Sequence, residues 1–334
     1  MRNRAIFAGA LLALCIADDR TAAQGAAPLP KSIAIHVGYG PGGGYDTNAR
    51  LVARHWARHL PGEPAIIVQN MPGAGGLRVL NWISTAAPAD GSTVAITGSP
   101  NFLSPLFDGK GAQFDPMKMK FLGSLAGEAA ACAIWHTAGV RSLSDLTRIE
   151  VLAGASGPAS VSTVYPLALN AVLGARFKLV QGYTGSAQAI LAMEKGEIQA
   201  FCGWTHNAQP EWVKDGRVHL VTQVALTPDP MFPGVPLALD HARTQDDRQV
   251  LELIFAPQSI TRPYLVPPAT PDAIMQTMRN GLMNMASDES YRREAARMNM
   301  DPGYLGGEEI SAIISRIYAS PVHVVERAKK IVNP

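Results

Sequence analysis

Ile33-Ala34-Ile35-His36-Val37 runs directly into Gly38-Tyr39-Gly40-Pro41-Gly42-Gly43-Gly44-Tyr45-Asp46. Beyond it Ala49, Val52, Ala53, Trp56 and Leu60 recur at helical spacing until Pro61-Gly62 stops the run. The segment reads as a short apolar strand, a glycine-rich turn and an amphipathic helix. The pattern repeats downstream. Ala65 to Val68 is a second strand, ending at Asn70-Met71-Pro72-Gly73, and Leu77, Leu80 and Ile83 mark the next helix. Thr93 to Thr97 is a third strand, ending at Gly98-Ser99-Pro100. Strands separated by helices imply βαβ units and a parallel sheet.

A second series of strands begins near Phe121. Cys132 to Trp135, Val151 to Ala153, Lys178 to Val180, Ile198 to Cys202 and Val218 to Val221 read as strands, with helices such as Ala187 to Lys195 between several of them. After about residue 250 the pattern turns mostly helical. Residues 271–286, 289–298, 308–318 and 322–331 each carry an apolar stripe. Two strand series suggest two α/β domains, with the C-terminal helices packing back on the first. The 334 residues suit two domains, since a domain usually holds ~100–200.

Composition narrows the function classes. Apolar residues make up 47% and charged residues 17%, with a net charge of +2, which excludes intrinsic disorder. A balance this even argues against a nucleic-acid or anionic-membrane surface. Residues 1–23 read as a secretory signal. Arg2 and Arg4 precede the apolar run Ala5 to Ala17, and small-residue cleavage sites lie at Cys15-Ile16-Ala17 and Thr21-Ala22-Ala23. The alternative is a buried N-terminal helix. Leu14 is too bulky for the small residue expected before a lipidated Cys15. Without the signal the net charge is +1, since Arg2, Arg4 and Arg20 leave together with Asp18 and Asp19. No later stretch reaches the ~18 apolar residues of a membrane-spanning helix, so the mature protein is expected to be exported and soluble.

Gly38-Tyr39-Gly40-Pro41-Gly42-Gly43 matches the spacing of a dinucleotide fingerprint after a strand. Gln69-Asn70 stand where the second strand would need an acidic residue for ribose, and Pro41 removes an amide from the phosphate cradle. Anion binding survives that comparison. A glycine-rich turn feeding a helix presents free N–H groups and the positive end of the helix dipole. Met71 to Gly76, Ser156 to Thr163 and Tyr183 to Ser186 repeat the device, each before a helix. Open α/β sheets bind ligands at such strand ends. Arg78 is the one cation near these turns, so the anion is expected to be held by amides and hydroxyls rather than by a charge. Asp46 either caps its helix or faces the ligand. Trp204 either walls a pocket or fills the core.

Catalytic constellations are poor. His55 and His59 are four apart, but Trp56 occupies the position a zinc protease gives to glutamate. Gly154-Ala155-Ser156-Gly157-Pro158 lacks the last glycine of a nucleophile elbow. No Walker lysine is present. No catalytic residue, metal site or cofactor is expected.

Pro41-Gly42-Gly43-Gly44-Tyr45-Asp46, Val68 to Gly76, Ala87-Pro88-Ala89-Asp90-Gly91-Ser92-Thr93, Phe114-Asp115-Pro116, Gly182-Tyr183-Thr184-Gly185, Phe232 to Pro236 and Phe255-Ala256-Pro257 together resemble the Bug-type extracytoplasmic solute receptors. These are the binding components of tripartite tricarboxylate transporters. The resemblance covers essentially the whole mature chain. It implies an α/β, two-domain, type II-like periplasmic binding protein, each domain a mostly parallel sheet flanked by helices, with the ligand in the cleft between them. The expected division is residues 28–125 with 255–334, and 126–254. The resemblance implies a receptor that takes up a small organic carboxylate and delivers it, as a monomer, to integral-membrane transporter subunits. A ligand-sensing receptor for a signalling partner and a secreted α/β enzyme are the alternatives; the enzyme needs a nucleophile–base pair in the cleft, and the sequence offers none.

Carried onto this chain, the first-domain ligand loop holds Tyr39, Pro41, Gly42, Gly43, Tyr45 and Asp46, with Ser99 and Asn101 after the third strand. The facing loops hold Ser156, Ser160, Ser162 and Thr163, then Thr184, Gly185 and Ser186, with Trp204 at a strand end. In this type of fold the strand of Cys132 neighbours that of Cys202, which leaves open either a disulfide or two small buried thiols.

Overall fold

The computed structural model describes residues 27–107, 111–125, 129–206 and 208–333; the expected signal at 1–23 lies outside them. In chain order the elements are β1 (Ser32–Val37), α1 (Gly44–Trp56), β2 (Ala65–Asn70), α2 (Leu77–Thr85), β3 (Thr93–Ile96) and β4 (Lys120–Leu125). Then come β5 (Ala130–Trp135), α3 (Leu143–Leu146), β6 (Val151–Ala155), α4 (Val161–Leu173), β7 (Phe177–Gln181), α5 (Ser186–Glu194), β8 (Ala200–Trp204), α6 (Pro210–Lys214), β9 (Val218–Val224) and α7 (Gln245–Phe255). Last are β10 (Pro263–Val266), α8 (Asp272–Ser287), α9 (Glu289–Arg297), β11 (Tyr304–Gly306), α10 (Gly307–Tyr318) and α11 (Val322–Val332). No helix among the described residues is long and apolar enough to cross a membrane.

The strands form two sheets, one per domain. Among the described residues the first has the order β11-β4-β10-β3-β1-β2 and the second β7-β6-β8-β5-β9. Both are mixed rather than mostly parallel. The parallel ladders run through β2-β1-β3 and β7-β6-β8. Antiparallel strands extend each ladder: β10 lies between β3 and β4, and β5 between β8 and β9. On β1, between β3 and the edge strand β2, Ile33, Ile35 and Val37 share one face and are fully buried. Each such side chain contributes ~1.5–3 kcal/mol on leaving water. The second core gathers β5, β6 and β8 under α4 and α5, with Tyr165, Leu169, Ile134 and Trp204 inside it.

Helices α8 and α10 pack on β4, and α9 packs on α1 and α8, in the first domain. Helix α11 departs from the sequence expectation. It lies on α7 and α4, with Val324 and Ala328 buried in the second core. Arg327 fixes it there by pairing with Asp246 and Asp247 of α7. The apolar stripe of α11 could be read from the sequence, but the surface receiving it could not. His55 and His59 of α1 belong to the α1–α9 interface, where His55 faces Glu294 and His59 faces Asp288. Among the described residues no group of side chains is arranged to hold a metal ion.

Cys132 and Cys202 are direct cross-strand partners on β5 and β8, 4.0 Å apart at Cα, and they form a disulfide. The bridge spans a sequence separation of 70 residues. Closing so long a loop restricts the unfolded chain, which typically stabilises the folded state by ~2–4 kcal/mol. The Cys132→Ala/Cys202→Ala double variant should therefore lose ~2–4 kcal/mol in urea unfolding. Two free thiols in the mass spectrum of native, unreduced protein would contradict the pairing.

Candidate functional site

The mixed topology brings two kinds of strand end to the same edge. Strands β1, β3, β6 and β8 arrive there by their C-terminal ends. Strands β10 and β5 run the other way, so their N-terminal ends arrive instead. Between the two sheets these ends enclose a small cavity of about 60 Å3. Tyr39, Gly43, Gly44 and Tyr45 line it from the first domain. Ser156, Val161, Ser162, Gly185 and Ser186 line it from the second, with Phe201, Gly203 and Thr205 around β8 and Ala130 at the start of β5. Gln258, Thr261 and Arg262 come from the segment that leads into β10.

The N-termini of α1, α4 and α5 all open toward this space. Their first N–H groups lack intrahelical partners and carry the positive end of the dipole. Hydroxyls gather at the α4 end. Ser162 Oγ accepts from Ser156 N at 3.1 Å and lies 2.9 Å from Ser160 Oγ, which also donates to Gly157 O. Ser186 Oγ at the start of α5 accepts from Gly44 N at 3.4 Å, across the domain boundary. Tyr39 stacks on Tyr45 with ring centroids 4.6 Å apart and donates its hydroxyl to Gly75 O. Burial pushes the Tyr39 phenol well up, reinforced by Tyr45, so it stays a neutral donor.

Seven of the residues expected to bind ligand therefore meet at one cavity: Tyr39, Gly43, Tyr45, Ser156, Ser162, Gly185 and Ser186. The others stand behind or beside it. Pro41 and Gly42 are exposed on the turn. Asp46 is buried, and its carboxylate takes Arg50, the Gly42 N–H and Asn70. Burial opposes its charge, but those hydrogen bonds win and hold the carboxyl below its ordinary range. At the start of α4, Ser160 Oγ lies 2.9 Å from Ser162 Oγ and 3.2 Å from Thr163 Oγ1. Ser99 is buried at the foot of β3, and Asn101 donates to the carbonyls of Gly75 and Gly98. Thr184 closes on the first-domain loop by accepting from Gly40 N at 2.9 Å. Trp204 fills the second core beside Trp212 rather than walling the cavity.

Arg262 overturns the expectation of a pocket without a cation. It is 2% exposed and, among the described residues, supplies the one charged side chain lining the cavity. Its Nη2 stands 3.2 Å from where a Cβ on Gly44 would project. A cation was expected only beside the glycine-rich turns that follow strands, whereas Arg262 precedes a strand that runs antiparallel. One sequence signal was present: an arginine set between Thr261 and Pro263 at the mouth of the apolar run Tyr264-Leu265-Val266.

The glycine-rich turns also have a second use, as surfaces where the domains meet. A Cβ on Gly43 would stand 2.9 Å from Ser186 Oγ, and one on Gly40 would stand 2.7 Å from Thr184 Oγ1. Gly43 itself is extended, with φ −80°, so its requirement is space rather than an unusual backbone. The turn Met71 to Gly76 does not line the cavity. It packs on the loop before α4, where Gly157 lies against the backbone of Ala74 and Gly75.

The model of the tripartite tricarboxylate transporter family receptor matches residues 48–326. A curated protein of Cupriavidus necator, the UPF0065 protein in gbd 5'region, is 23% identical over 97% of this chain and 95% of its own length. Among solved structures, the periplasmic binding protein BugD superposes with a TM-score of 0.73 at 15% identity, covering 90% of this chain and 97% of BugD. MatC of Rhodopseudomonas palustris, solved with bound malate, superposes with a TM-score of 0.71 at 19% identity, covering 90% and 99%.

Two substitutions test this architecture. Gly157 has φ +154°, and a Cβ there would fall on the facing backbone of the other domain. Gly157→Ala should keep its far-UV circular dichroism yet show a larger radius of gyration in small-angle scattering, because the domains can no longer meet. An unchanged radius would mean that the contact is not needed for closure. Asp46→Asn should cost ~1–3 kcal/mol at neutral pH, by breaking charge-assisted hydrogen bonds in a buried setting. The folded carboxyl titrates below its unfolded value, so this stabilisation is full above about pH 4 and fades as the pH falls through the folded value. Unfolding curves of both proteins from pH 7 to pH 3 should therefore converge on the acid side.

Proposed function

Because this chain belongs to the family of tripartite tricarboxylate transporter receptors, we propose that it captures one small organic carboxylate in the cleft between its domains and delivers it to an integral-membrane carrier. Members of this family are periplasmic solute-binding receptors. Residues 1–23 would direct export, and the mature chain would act as a monomer. The observation that carries the ligand class is the character of the cavity wall. Three helix N-termini, a set of serine hydroxyls and the buried Arg262 converge there, and none of the described lining residues is acidic. An anion matches that surface and a cation does not. MatC, of the same fold, was solved with malate, a carboxylate.

The mechanism follows from where the donors sit. Gly43 and Gly44 belong to one domain, Ser162 and Ser186 to the other. A carboxylate touching both sides gains its full set of hydrogen bonds only when the domains meet. It therefore shifts an open–closed equilibrium toward the closed form. The carrier would then distinguish loaded from empty receptor by the relative position of the domains. The bound acid would be released unchanged: among the described lining residues no nucleophile stands beside a general base.

A thermal-shift panel of mono-, di- and tricarboxylates, aromatic acids and acidic amino acids, with their neutral amides, tests this function. An acid at 100 times its dissociation constant should add ~2.7 kcal/mol to stability, while its amide adds little. A panel in which the amides stabilise as well as the acids would rule out the carboxylate. Product formation abolished by Ser162→Ala would rule out a receptor.

A further inference from the structure

We infer that Arg262 is a specificity-determining residue: its guanidinium takes a second anionic group of the ligand, so that the cleft selects acids carrying two negative groups over acids of the same size carrying one. This rests on the carboxylate-receptor function proposed above and adds to it a discrimination within the class.

The placement of Arg262 argues for it. The start of α1 has two neighbours: Ser186 Oγ lies against Gly43 and accepts from Gly44 N, while Arg262 Nη2 lies 3.2 Å from where a Cβ on Gly44 would project. Hydroxyls and helix N-terminal amides on the Ser162 and Ser186 side offer donors to one carboxylate. The guanidinium lies on another side of the same turn, where a second oxyanion would stand. Arginine has five N–H donors, so it can hold a ligand oxygen while keeping its contacts within the protein.

The backbone supports a dedicated role. Arg262 has φ +57°, a left-handed conformation that a bulky residue adopts at a cost, and one that recurs at ligand clamps. Its neighbours hold it there. Thr261 O accepts from Ser124 Oγ, Thr261 Oγ1 donates to Gln258 O at 2.7 Å, and Pro263 pairs with Ser124 at the start of β10. Tyr165 of the second domain donates to Gln258 Oε1 at 2.6 Å, which ties the same segment to α4. The segment that carries Arg262 is thus anchored to both domains.

Calorimetry with matched pairs is the test: succinate and succinamate, glutarate and glutaramate, adipate and adipamate. Each pair differs by one charge at nearly constant size. For the pair bound best, the wild type should hold the diacid at least ~10-fold more tightly than the monoamide, the usual effect of one charge-assisted hydrogen bond. Arg262→Gln should bring the two within ~3-fold by weakening the diacid alone, and Arg262→Lys should keep part of the preference. Circular dichroism and thermal midpoints show whether the variants are folded. Should neither variant fold, the wild-type ratio decides alone. A wild-type ratio near one overturns the inference, as does a folded Arg262→Gln protein that loses both ligands equally, since that is the mark of a structural role. Wild-type protein that binds no acid of either set overturns the receptor function itself and this inference with it.

Discussion

At Gly157, Gly40 and Gly43 the domains meet on bare glycine backbone, and the proposed site depends on that close approach. Gly157 lies against the main chain of Ala74 and Gly75, while Gly40 and Gly43 admit Thr184 and Ser186 where any Cβ would collide. Main-chain contact leaves little room for compensation. A methyl group added at such a position has no rotamer to escape into. The same proximity lets Ser186 and the start of α1 face one space, so closure and the assembly of donors are a single event.

Mixed sheets complete that arrangement. In a purely parallel sheet, loops of one kind crowd the binding edge. Here β10 and β5 run against their neighbours and bring their leading ends to it. Arg262 and Ala130 reach the cavity by this route. The disulfide sits on the same construction, joining β5 to β8 one residue from Phe201 and Gly203, both of which line the cavity. The floor of the site is therefore covalently fastened, whereas its walls belong to two bodies.

Charge is distributed with some economy. Asp46, the acidic residue nearest the cavity in sequence, is turned away and consumed by Arg50, Asn70 and the Gly42 amide. Its work is to fix the turn that carries Gly43 and Gly44. With that carboxylate withdrawn, the field at the cavity is set by helix N-termini and one guanidinium. In the proposed function an anion would meet these donors oriented together once the domains have closed.

The sequence alone determined the parallel half of each sheet, because Ile33 to Val37 and its successors are apolar runs ended by glycine turns, a local pattern with one stable outcome. It also placed the glycine-rich turns at one edge, since strand C-terminal ends in βαβ units share it, although Met71 to Gly76 packs on the facing loop instead of lining the cavity. Tyr39, Gly43, Ser162 and Ser186 could be named on that basis. The tertiary structure decided the rest. Strand β10 is four residues long and lies in a stretch whose periodicity reads as helical, so neither its pairing nor the arrival of Arg262 was legible. Trp204 could fill the core or wall the pocket until the packing of Trp212 beside it settled the matter. Helix α11 shows its apolar stripe in sequence, but which domain receives that stripe depends on α7 and its two aspartates, some eighty residues away. Local periodicity specifies which face of an element is buried. What it is buried against is a property of the assembled chain.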